Sequence, residues 1–323
     1  MVMNALEGSM IRCVRGSSIA VVLLAASASL AAPPSPKEKI FAQLEAHDTK
    51  GAEASLARWK ANKGEDDPEY WIAGANVYFE LGHQSSVALE ALPAAKDKAA
   101  DGKSIVFSDE KTGKPVGIIT EGQPHIDMPT IKKAIGYLDE GVRRFPYRLD
   151  MFVGRAHLYR TVGDLAGELT ALTSLVKDAQ AKGGAFKNGN EPLTRSLEDW
   201  QVTMLNTYAR EHFEAGSDEQ RNDGIAVAKL LTQLFPKRAE GYNLLGAGAT
   251  MQGDWNEAKR QFQAAVGVAP RDALVVGNLG YCLEKLGDKK GAIAQYEKVV
   301  ALDNDADEIE RAKSRLAALK GAK

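Results

Sequence analysis

This sequence of 323 residues has few cysteines, few long apolar runs and no large excess of either charge. The two cysteines, Cys13 and Cys282, argue against a small fold held together by several disulfides. The formal net charge is −2, so the chain has no basic excess with which to neutralise phosphates. This balance argues against nucleic acid as a partner.

The apolar segment near the start of the sequence is too short to cross a membrane, which takes about 20 apolar residues. Arg12 and Arg15 precede an apolar stretch at residues 19–24, and small residues lead to Ala31. This order is typical of a secretory signal peptide, and a buried core helix would not explain the arginines. We therefore predict that residues 1–31 are a signal peptide and that the protein is periplasmic or secreted.

Removal of that segment has consequences for the rest of the chain. Met1 and Met10 are alternative starts of translation, because acidic Glu7 precedes the basic part of the pattern. Cleavage takes Cys13 away and leaves Cys282 alone, so no internal disulfide is expected. No later segment is long and apolar enough to span a bilayer, so we expect no membrane insertion after cleavage.

An internal repeat with an offset of 34 residues is clearest between residues 239 and 306. The repeated positions are Leu245-Gly246 with Leu279-Gly280, Gly253-Asp254 with Gly287-Asp288, Ala258 with Ala292, and Phe262 with Tyr296. A small residue in a first helix lets a second helix approach, and a ring fills the space beside it. Such a helical hairpin must stack on neighbours to bury its apolar face.

These positions resemble the tetratricopeptide repeat. Residues 239–272 also carry Tyr242, Ala265 and Pro270 at the family's positions, whereas Ala249 stands where an aromatic residue is usual. The resemblance implies an all-α, right-handed solenoid of helical hairpins that binds another protein. We expect divergent repeats at 37–181, tetratricopeptide repeats at 193–306 and a capping helix at 307–320.

A β-hairpin is predicted at residues 104–120, where it interrupts the helices. Two runs of apolar and β-branched residues, which include Phe107 and Ile118, flank a turn that contains Gly113. A protein normally hides or uses an exposed strand edge. We therefore predict that Phe107 and Ile118 face a partner.

Arginines are dense between residues 143 and 160. One interpretation is a solvated face paired with Asp139, Glu140 and Asp150, because exposed ion pairs are common. The other is an anchor for an acidic segment, which uses the forked donors of arginine. The residues predicted to bind a partner in this run are Arg144, Arg148, Arg155 and His157.

No motif in the sequence indicates catalysis, a cofactor or a metal site. The five histidines are scattered without metal-ligand spacing, and no nucleophile motif is present. In some tetratricopeptide proteins Lys and Asn side chains clamp a peptide carboxylate. Asn278 matches one such position here, but Leu274, Ala247 and Asn243 occupy others, so the clamp is incomplete.

The sequence is compatible with three functions. We expect a non-enzymatic, exported scaffold that holds a partner protein or peptide on a helical-repeat surface. The alternatives are an accessory subunit of an envelope assembly or secretion machine, and an enzyme whose site residues are dispersed.

Overall fold

The computed structural model describes residues 33–84, 87–91, 105–108, 115–121, 125–302 and 305–321. For 84, 87–91, 105–108 and 115–121 it describes the backbone alone. The predicted signal peptide lies outside the described residues. The chain packs as two units. Unit 1 extends to Asp164 and includes Lys187–Glu191, and unit 2 contains Leu165–Phe186 and the chain from Pro192 onward.

Unit 1 is built from helical hairpins. Its helices are α1 (Pro36–Glu45), α2 (Thr49–Ala61), a short 3-10 turn (Gly64–Asp66), α3 (Pro68–Gly82), α4 (Met128–Arg144) and α5 (Leu149–Thr161). Side chains that accept hydrogen bonds from the first-turn amides set the starts of α1, α2 and α3, where the caps are Ser35, Asp48 and Asp67. Apolar residues of α1 to α5 form one core, in which Ile40, Phe79 and Ile131 are buried.

A β-structure between α3 and α4 contains the hairpin that the sequence predicts and adds further strands to it. Strands β1 (His83–Gln84) and β5 (His125–Ile126) pair antiparallel and form a stem. Beyond the stem, β2 (Val87–Ala91), β3 (Ile105–Ser108) and β4 (Pro115–Glu121) form an antiparallel sheet in the order β2-β4-β3. The β3–β4 pairing confirms a hairpin, and β2 is an additional strand on the other edge of β4.

Unit 2 continues the helical pattern. Its helices are α6 (Leu165–Lys182), α7 (Leu197–Ala215), α8 (Asp218–Leu234), α9 (Ala239–Met251), α10 (Trp255–Val268), α11 (Ala273–Lys285), α12 (Lys289–Leu302) and α13 (Ala306–Gly321). Between α6 and α7 lie the short strands β6 (Lys187–Asn188) and β7 (Glu191–Pro192). The expected all-α class with tetratricopeptide-type hairpins is confirmed.

Close approach of the two helices within a hairpin depends on the glycines that the repeat predicts. A Cβ atom on Gly246 would lie 2.5 Å from the Phe262 ring, and one on Gly280 would lie 2.9 Å from the Tyr296 ring. Both distances are shorter than van der Waals contact, so only glycine allows these rings to be buried where they are. Phe262 is 3% exposed and Tyr296 is 4% exposed.

The turns between paired helices follow the predicted chemistry. Gly253 and Gly287 adopt φ values of +75° and +79°, the left-handed region in which glycine carries no steric cost. Asp254 and Asp288 come next, and each side chain accepts a hydrogen bond from a backbone amide in the first turn of the following helix.

Helix α13 covers the end of the unit 2 core. Ala312 is buried, and Leu316 and Leu319 pack against the core formed with α11 and α12. Lys313 is exposed on the opposite side of the same helix. This polar-backed arrangement is the one that a terminal repeat helix needs.

Candidate functional site

Three asparagines lie on successive first helices of the unit 2 hairpins. They are Asn206 on α7, Asn243 on α9 and Asn278 on α11, and each is half-buried. Asn278 Nδ2 donates a hydrogen bond to Asn243 Oδ1 over 2.8 Å. The amides therefore form a polar row across three helices, with donors and acceptors at each position.

A hollow of about 310 Å³ with a mixed polar and apolar lining, the mixed hollow, opens beside the first two asparagines. Val268 and Leu274 border it and are 37% and 41% exposed, so their side chains present apolar surface to solvent. The hollow is lined by Asn206, Lys237, Arg238, Ala239, Glu240, Asn243, Val268, Ala269, Asp272, Leu274 and Val275.

A second hollow, of about 370 Å³, adjoins it on the far side of the Asn243–Asn278 hydrogen bond. Helix α11 supplies one wall and helix α13 the other. The lining residues are Gly277, Asn278, Tyr281, Tyr296, Glu308, Arg311, Ala312, Ser314 and Arg315.

Tyr281 is one of two aromatic residues that line the second hollow. The guanidinium carbon of Arg315 and the ammonium of Lys285 each lie 5.3 Å from the centre of its ring. Trp255 packs edge-on against the same ring, with 6.0 Å between centroids. Cations near an aromatic face are attracted by its quadrupole, so the ring helps to hold Arg315 at the hollow.

Cations cover the acids in this hollow. Arg311 pairs with Glu308, and the two side chains are 69% and 9% exposed. Arg315 pairs with Glu284, and these side chains are 47% and 22% exposed. Burial raises the pKa of Glu308, and Arg311 opposes that rise. The guanidinium group is the more exposed member of each pair, and its charge is offset by the paired carboxylate.

Arg238 connects the first helices that border the mixed hollow. Its guanidinium donates to Asp199 over 2.6 Å and to Glu240 over 2.7 Å. Hydrogen bonds from Arg238 and Ser196 lower the pKa of Asp199. The contacts join the start of α7 to the start of α9 and hold the walls of the hollow in place before any partner binds.

The arginines that the sequence predicts as an anchor lie in unit 1 and are paired with local acids. Arg144 donates to Glu140 over 2.7 Å and lies over Trp71, and Arg155 donates to Asp139 over 2.9 Å. Hydrogen bonds from Arg143 and Arg144 lower the pKa of Glu140 to about 2. These ion pairs agree with the interpretation of the arginine run as a solvated face paired with local acids.

Arg148 is not at the surface, contrary to its predicted role in facing a partner. Its side chain is 1% exposed and donates to both carboxylate oxygens of Asp150, at 2.9 and 2.7 Å. A further bond of 2.8 Å reaches Glu69. Burial alone would raise the pKa of Glu69, but hydrogen bonds from Lys37 and Arg148 lower it. Arg148, at the start of α5, pairs with Glu69 of α3, and Glu69 also pairs with Lys37 of α1. These ion pairs therefore connect the three helices.

His157 lies on α5 and is largely enclosed. Burial and the nearby Arg160 lower its pKa to about 4. The ring Nδ1 lies 3.2 Å from Arg160 Nη2. The neutral form is therefore the stable one at neutral pH. The other two predicted residues, Phe107 and Ile118, lie on β3 and β4, and their side chains are outside the part of the chain that the structure describes.

Sequence reasoning missed most of the two hollows. In the sequence, Asn278 matches one position of the carboxylate clamp, and Asn243 occupies another position without completing it. The available signal was the recurrence of Asn on successive first helices, together with Tyr281 one turn after Asn278. Arg315 lies on the predicted capping helix, and its position over Tyr281 depends on how α13 packs.

Two other kinds of site are absent from the described residues. No group of three or more His, Cys, Asp or Glu side chains there is placed to hold a metal ion. Among the same residues, no helix combines the length and apolarity that crossing a membrane requires.

The hairpins and their shared polar row define a helical-repeat protein. Residues 251–307 match the family model of the tetratricopeptide repeat. No curated protein matches the chain.

Solved structures with a similar arrangement share little sequence with this chain. The MamA protein is 20% identical, with 54% of this chain and 82% of that chain covered and a TM-score of 0.36. A thermophilic tetratricopeptide repeat protein of Thermus thermophilus is 17% identical, with 58% and 92% covered and a TM-score of 0.36. The type III secretion translocator chaperone SycD of Yersinia enterocolitica is 19% identical, with 38% and 85% covered and a TM-score of 0.34.

Proposed function

We propose that this protein is a non-catalytic scaffold and that the first-helix side of unit 2 holds an extended segment of another protein. The observation that carries the proposal is the row of Asn206, Asn243 and Asn278 along two adjoining hollows. Tetratricopeptide repeats generally serve as binding scaffolds, and residues 251–307 belong to that family.

The chemistry of the row suits a polypeptide main chain. Each peptide unit offers one donor and one acceptor, and a partner that lies on a protein surface must keep both satisfied. A side-chain amide has two donors and an acceptor, so it can pair with a main chain whatever the side chains are. Hollows on either side leave room for those side chains.

The site needs little rearrangement to bind. Asn278 already donates to Asn243, and Arg238 already pairs with Asp199 and Glu240. Groups that are ordered before binding lose less conformational entropy when a partner arrives. This pre-ordering supports a recognition surface over a face that is merely solvated.

We further propose that the scaffold works outside the cytoplasm, in a periplasm or in the medium. The support is the order of Arg12 and Arg15, the apolar stretch 19–24 and the small residues that end at Ala31. The surviving cysteine, Cys282, is buried and needs no partner thiol.

A second surface in unit 1 stays a prediction, in a reduced form. Arg144, Arg155, His157 and the β-structure between α3 and α4, which carries Phe107 and Ile118, remain candidates for contact with a partner. Arg148 is left out because its burial and its pairing with Asp150 and Glu69 already use its charge.

Site-specific photocrosslinking in the native host tests the scaffold proposal. A benzophenone amino acid at Leu274 or Ser314, which border the two hollows, should give a discrete crosslinked protein. The same probe at Gln263 or Lys229, which are exposed on the second helices α10 and α8, is the matched control. Absence of adducts at the hollows, or equal adducts at all four positions, would contradict the proposal.

A further inference from the structure

We infer that a second copy of this chain pairs with the outer edge of β3, so that the two β3 strands lie antiparallel about a two-fold axis at Val106. The pairing joins two three-stranded sheets into one sheet with the strand order β2-β4-β3-β3-β4-β2. It concerns unit 1 and does not depend on what unit 2 is proposed to hold.

The two edges of the sheet differ in how they are protected against further pairing. Within the described residues, β2 and β3 each pair with β4 alone. Charged residues and proline are common protections of an edge strand. Strand β2 contains Glu90, and Pro93 follows it in the sequence, whereas β3 reads Ile-Val-Phe-Ser and contains neither. The edge formed by β3 is therefore the one open to another strand.

Strand β3 is also regular along its length. In its pairing with β4, Phe107 lies opposite Gly117 and Ser108 lies opposite Pro115. The extra residue of this irregularity, Val116, therefore belongs to β4, and an extra residue bends the strand that carries it. Successive residues of β3 stay in step, as pairing on its other edge requires.

Only some registers are possible when one edge pairs with a second copy of itself. Main-chain groups point alternately to the two edges of a strand, and two residues that lie opposite each other either exchange hydrogen bonds or both turn away. The two-fold axis must therefore pass through a residue and not between two residues. Each residue of β3 is a candidate for that position.

The axis at Val106 gives the most favourable pairs of opposite residues. It places Ile105 opposite Phe107 of the other copy, and aromatic–β-branched pairs are favourable across antiparallel strands. By sequence position it then places Lys103 opposite Asp109, on both sides of the axis. An apolar centre is thus flanked by lysine–aspartate contacts in the paired state.

The next charged residues support the same axis and argue against the others. With the axis at Val106, Asp101 falls opposite Lys111. An axis one residue earlier places Asp101 opposite Asp109, and an axis one residue later places Lys103 opposite Lys111. An axis two residues later places Ile105 opposite Lys111. Like charges directly opposite each other are destabilising, so charge complementarity selects Val106.

The inferred assembly contains two copies and closes on itself. A two-fold contact uses the same patch on both copies, so it leaves no free copy of that patch. The outer edges of the joined sheet are the two β2 strands, each with Glu90 and the Pro93 that follows it. The paired segment is short, so we expect a reversible dimer.

Single cysteines in β3 test the axis by oxidative crosslinking in a Cys13→Ser background. Val106→Cys should give a disulfide-linked dimer, because opposite Cα atoms about 4.5–5.5 Å apart are within reach of a disulfide. Ile105→Cys and Phe107→Cys should each give little linked dimer alone and should link to each other when mixed. The background protein, in which Cys282 is buried, is the control. Linkage of Ile105→Cys or Phe107→Cys alone as readily as of Val106→Cys would overturn the axis.

Charge reversals test the flanking contacts by sedimentation velocity across the micromolar range. Lys103→Asp and Asp109→Lys each turn two attractive contacts into repulsive ones, so each should weaken dimerisation about tenfold. An equimolar mixture of the two variants should recover the affinity of the parent, because each aspartate then faces a lysine. A changed charge beside β3 also acts on its pairing with β4, but mixing does not repair that effect. Recovery in the mixture therefore assigns the loss to the contact between copies.

Glu110→Lys is the matched control for Asp109→Lys. It changes the net charge by the same amount, but in the inferred register Glu110 lies opposite Gly102, so dimerisation should change less than about twofold. Thermal unfolding followed by circular dichroism verifies that each variant is folded.

The outcomes separate this inference from the proposed function. A parent protein that stays monomeric across the concentration range, with no linked dimer from Val106→Cys, would overturn the inference. A dimer that Lys103→Asp and Asp109→Lys leave unchanged would overturn it as well, because the contact would then lie elsewhere. Neither result bears on the scaffold proposal, which photocrosslinking at Leu274 and Ser314 tests.

Discussion

At the scale of single residues, the contact between Gly246 and Phe262 sets the distance between α9 and α10. We predict that Phe262→Ala lowers the free energy of unfolding by about 3–5 kcal/mol, because removal of a buried ring leaves a cavity. Gly246→Leu should cost about 1–3 kcal/mol or more, because a Cβ atom there already lies 2.5 Å from the ring. Chemical denaturation gives both values.

Gly267→Ala is the matched control for these changes. A Cβ atom at this helical position on α10 would meet nothing within 4 Å. Alanine is better than glycine in a helix by up to about 1 kcal/mol, so this variant should equal or exceed the parent in stability. Unchanged midpoints for Phe262→Ala and Gly246→Leu would show that the repeat register is wrong.

His157 gives the stability of the protein a predictable dependence on pH. Its pKa in the folded protein is about 4, below the unfolded value near 6.5. Between these two values the unfolded chain binds more protons than the folded one, so stability falls as pH falls from about 6.5 to about 4. The loss from this group amounts to roughly 3 kcal/mol and goes no further below pH 4.

His157→Gln should flatten that part of the stability profile, measured by urea unfolding at several pH values. His125→Gln is the control, because His125 is exposed. A profile for His157→Gln that keeps the full slope of the parent between pH 4 and 6.5 would refute the assignment.

At the scale of elements, Arg148 holds the helices of unit 1 together. We predict that Arg148→Leu lowers the free energy of unfolding by about 3–5 kcal/mol, because it leaves the buried Asp150 and its neighbour Glu69 without their shared cation. Arg143→Gln, which removes an exposed pair with Glu140, should cost about 1 kcal/mol or less. Thermal and chemical unfolding compare the two, and equal effects would contradict a structural role for Arg148.

The β-structure of unit 1 should be removable without loss of the helices. His83 and Ile126 pair across the stem, and the Asp127 amide donates to the Gly82 carbonyl over 2.8 Å. The ends of residues 85–124 are therefore adjacent, and a short Gly-Ser link can close them. We predict that the shortened protein retains its helical circular dichroism and the cooperative unfolding of unit 1. Exchange of 104–120 alone would instead leave β2 without its partner β4.

The contrast between β2 and the repeats shows what the sequence could predict. The repeats were found because Gly-Asp turns and glycine–ring pairs recur at 34 residues and have direct steric causes. Strand β2 reads Val-Ala-Leu-Glu-Ala, and alanine, leucine and glutamate are good helix formers. Its strand conformation comes from pairing with β4, which local sequence does not encode.

The candidate site was harder to predict than the fold for a related reason. Arg148 looks like a surface cation in sequence, and only the fold of unit 1 brings Glu69, 79 residues away in the chain, within reach. Tyr281 and Arg315 are 34 residues apart and meet only once α13 lies on α11. Asparagines on successive first helices carried a readable signal, but a single asparagine in a helix is also an ordinary polar residue.

At the scale of the whole molecule, we predict that the mature protein begins near Ala32 and is found outside the cytoplasm. The basic, apolar and small-residue parts occur in the order that export machinery recognises. The structure is compatible with cleavage at this place. Helix α1 begins at Pro36, and its capping box uses Ser35 and Glu38, so removal of residues 1–31 leaves every group of that cap present. Cleavage after Ala28 or Ala32 would preserve the cap as well.

Intact mass and N-terminal sequencing of protein from fractionated cells measure the outcome. Recovery of the protein in the cytoplasmic fraction, with residues 10–31 still attached, would contradict both the cleavage and the proposed location.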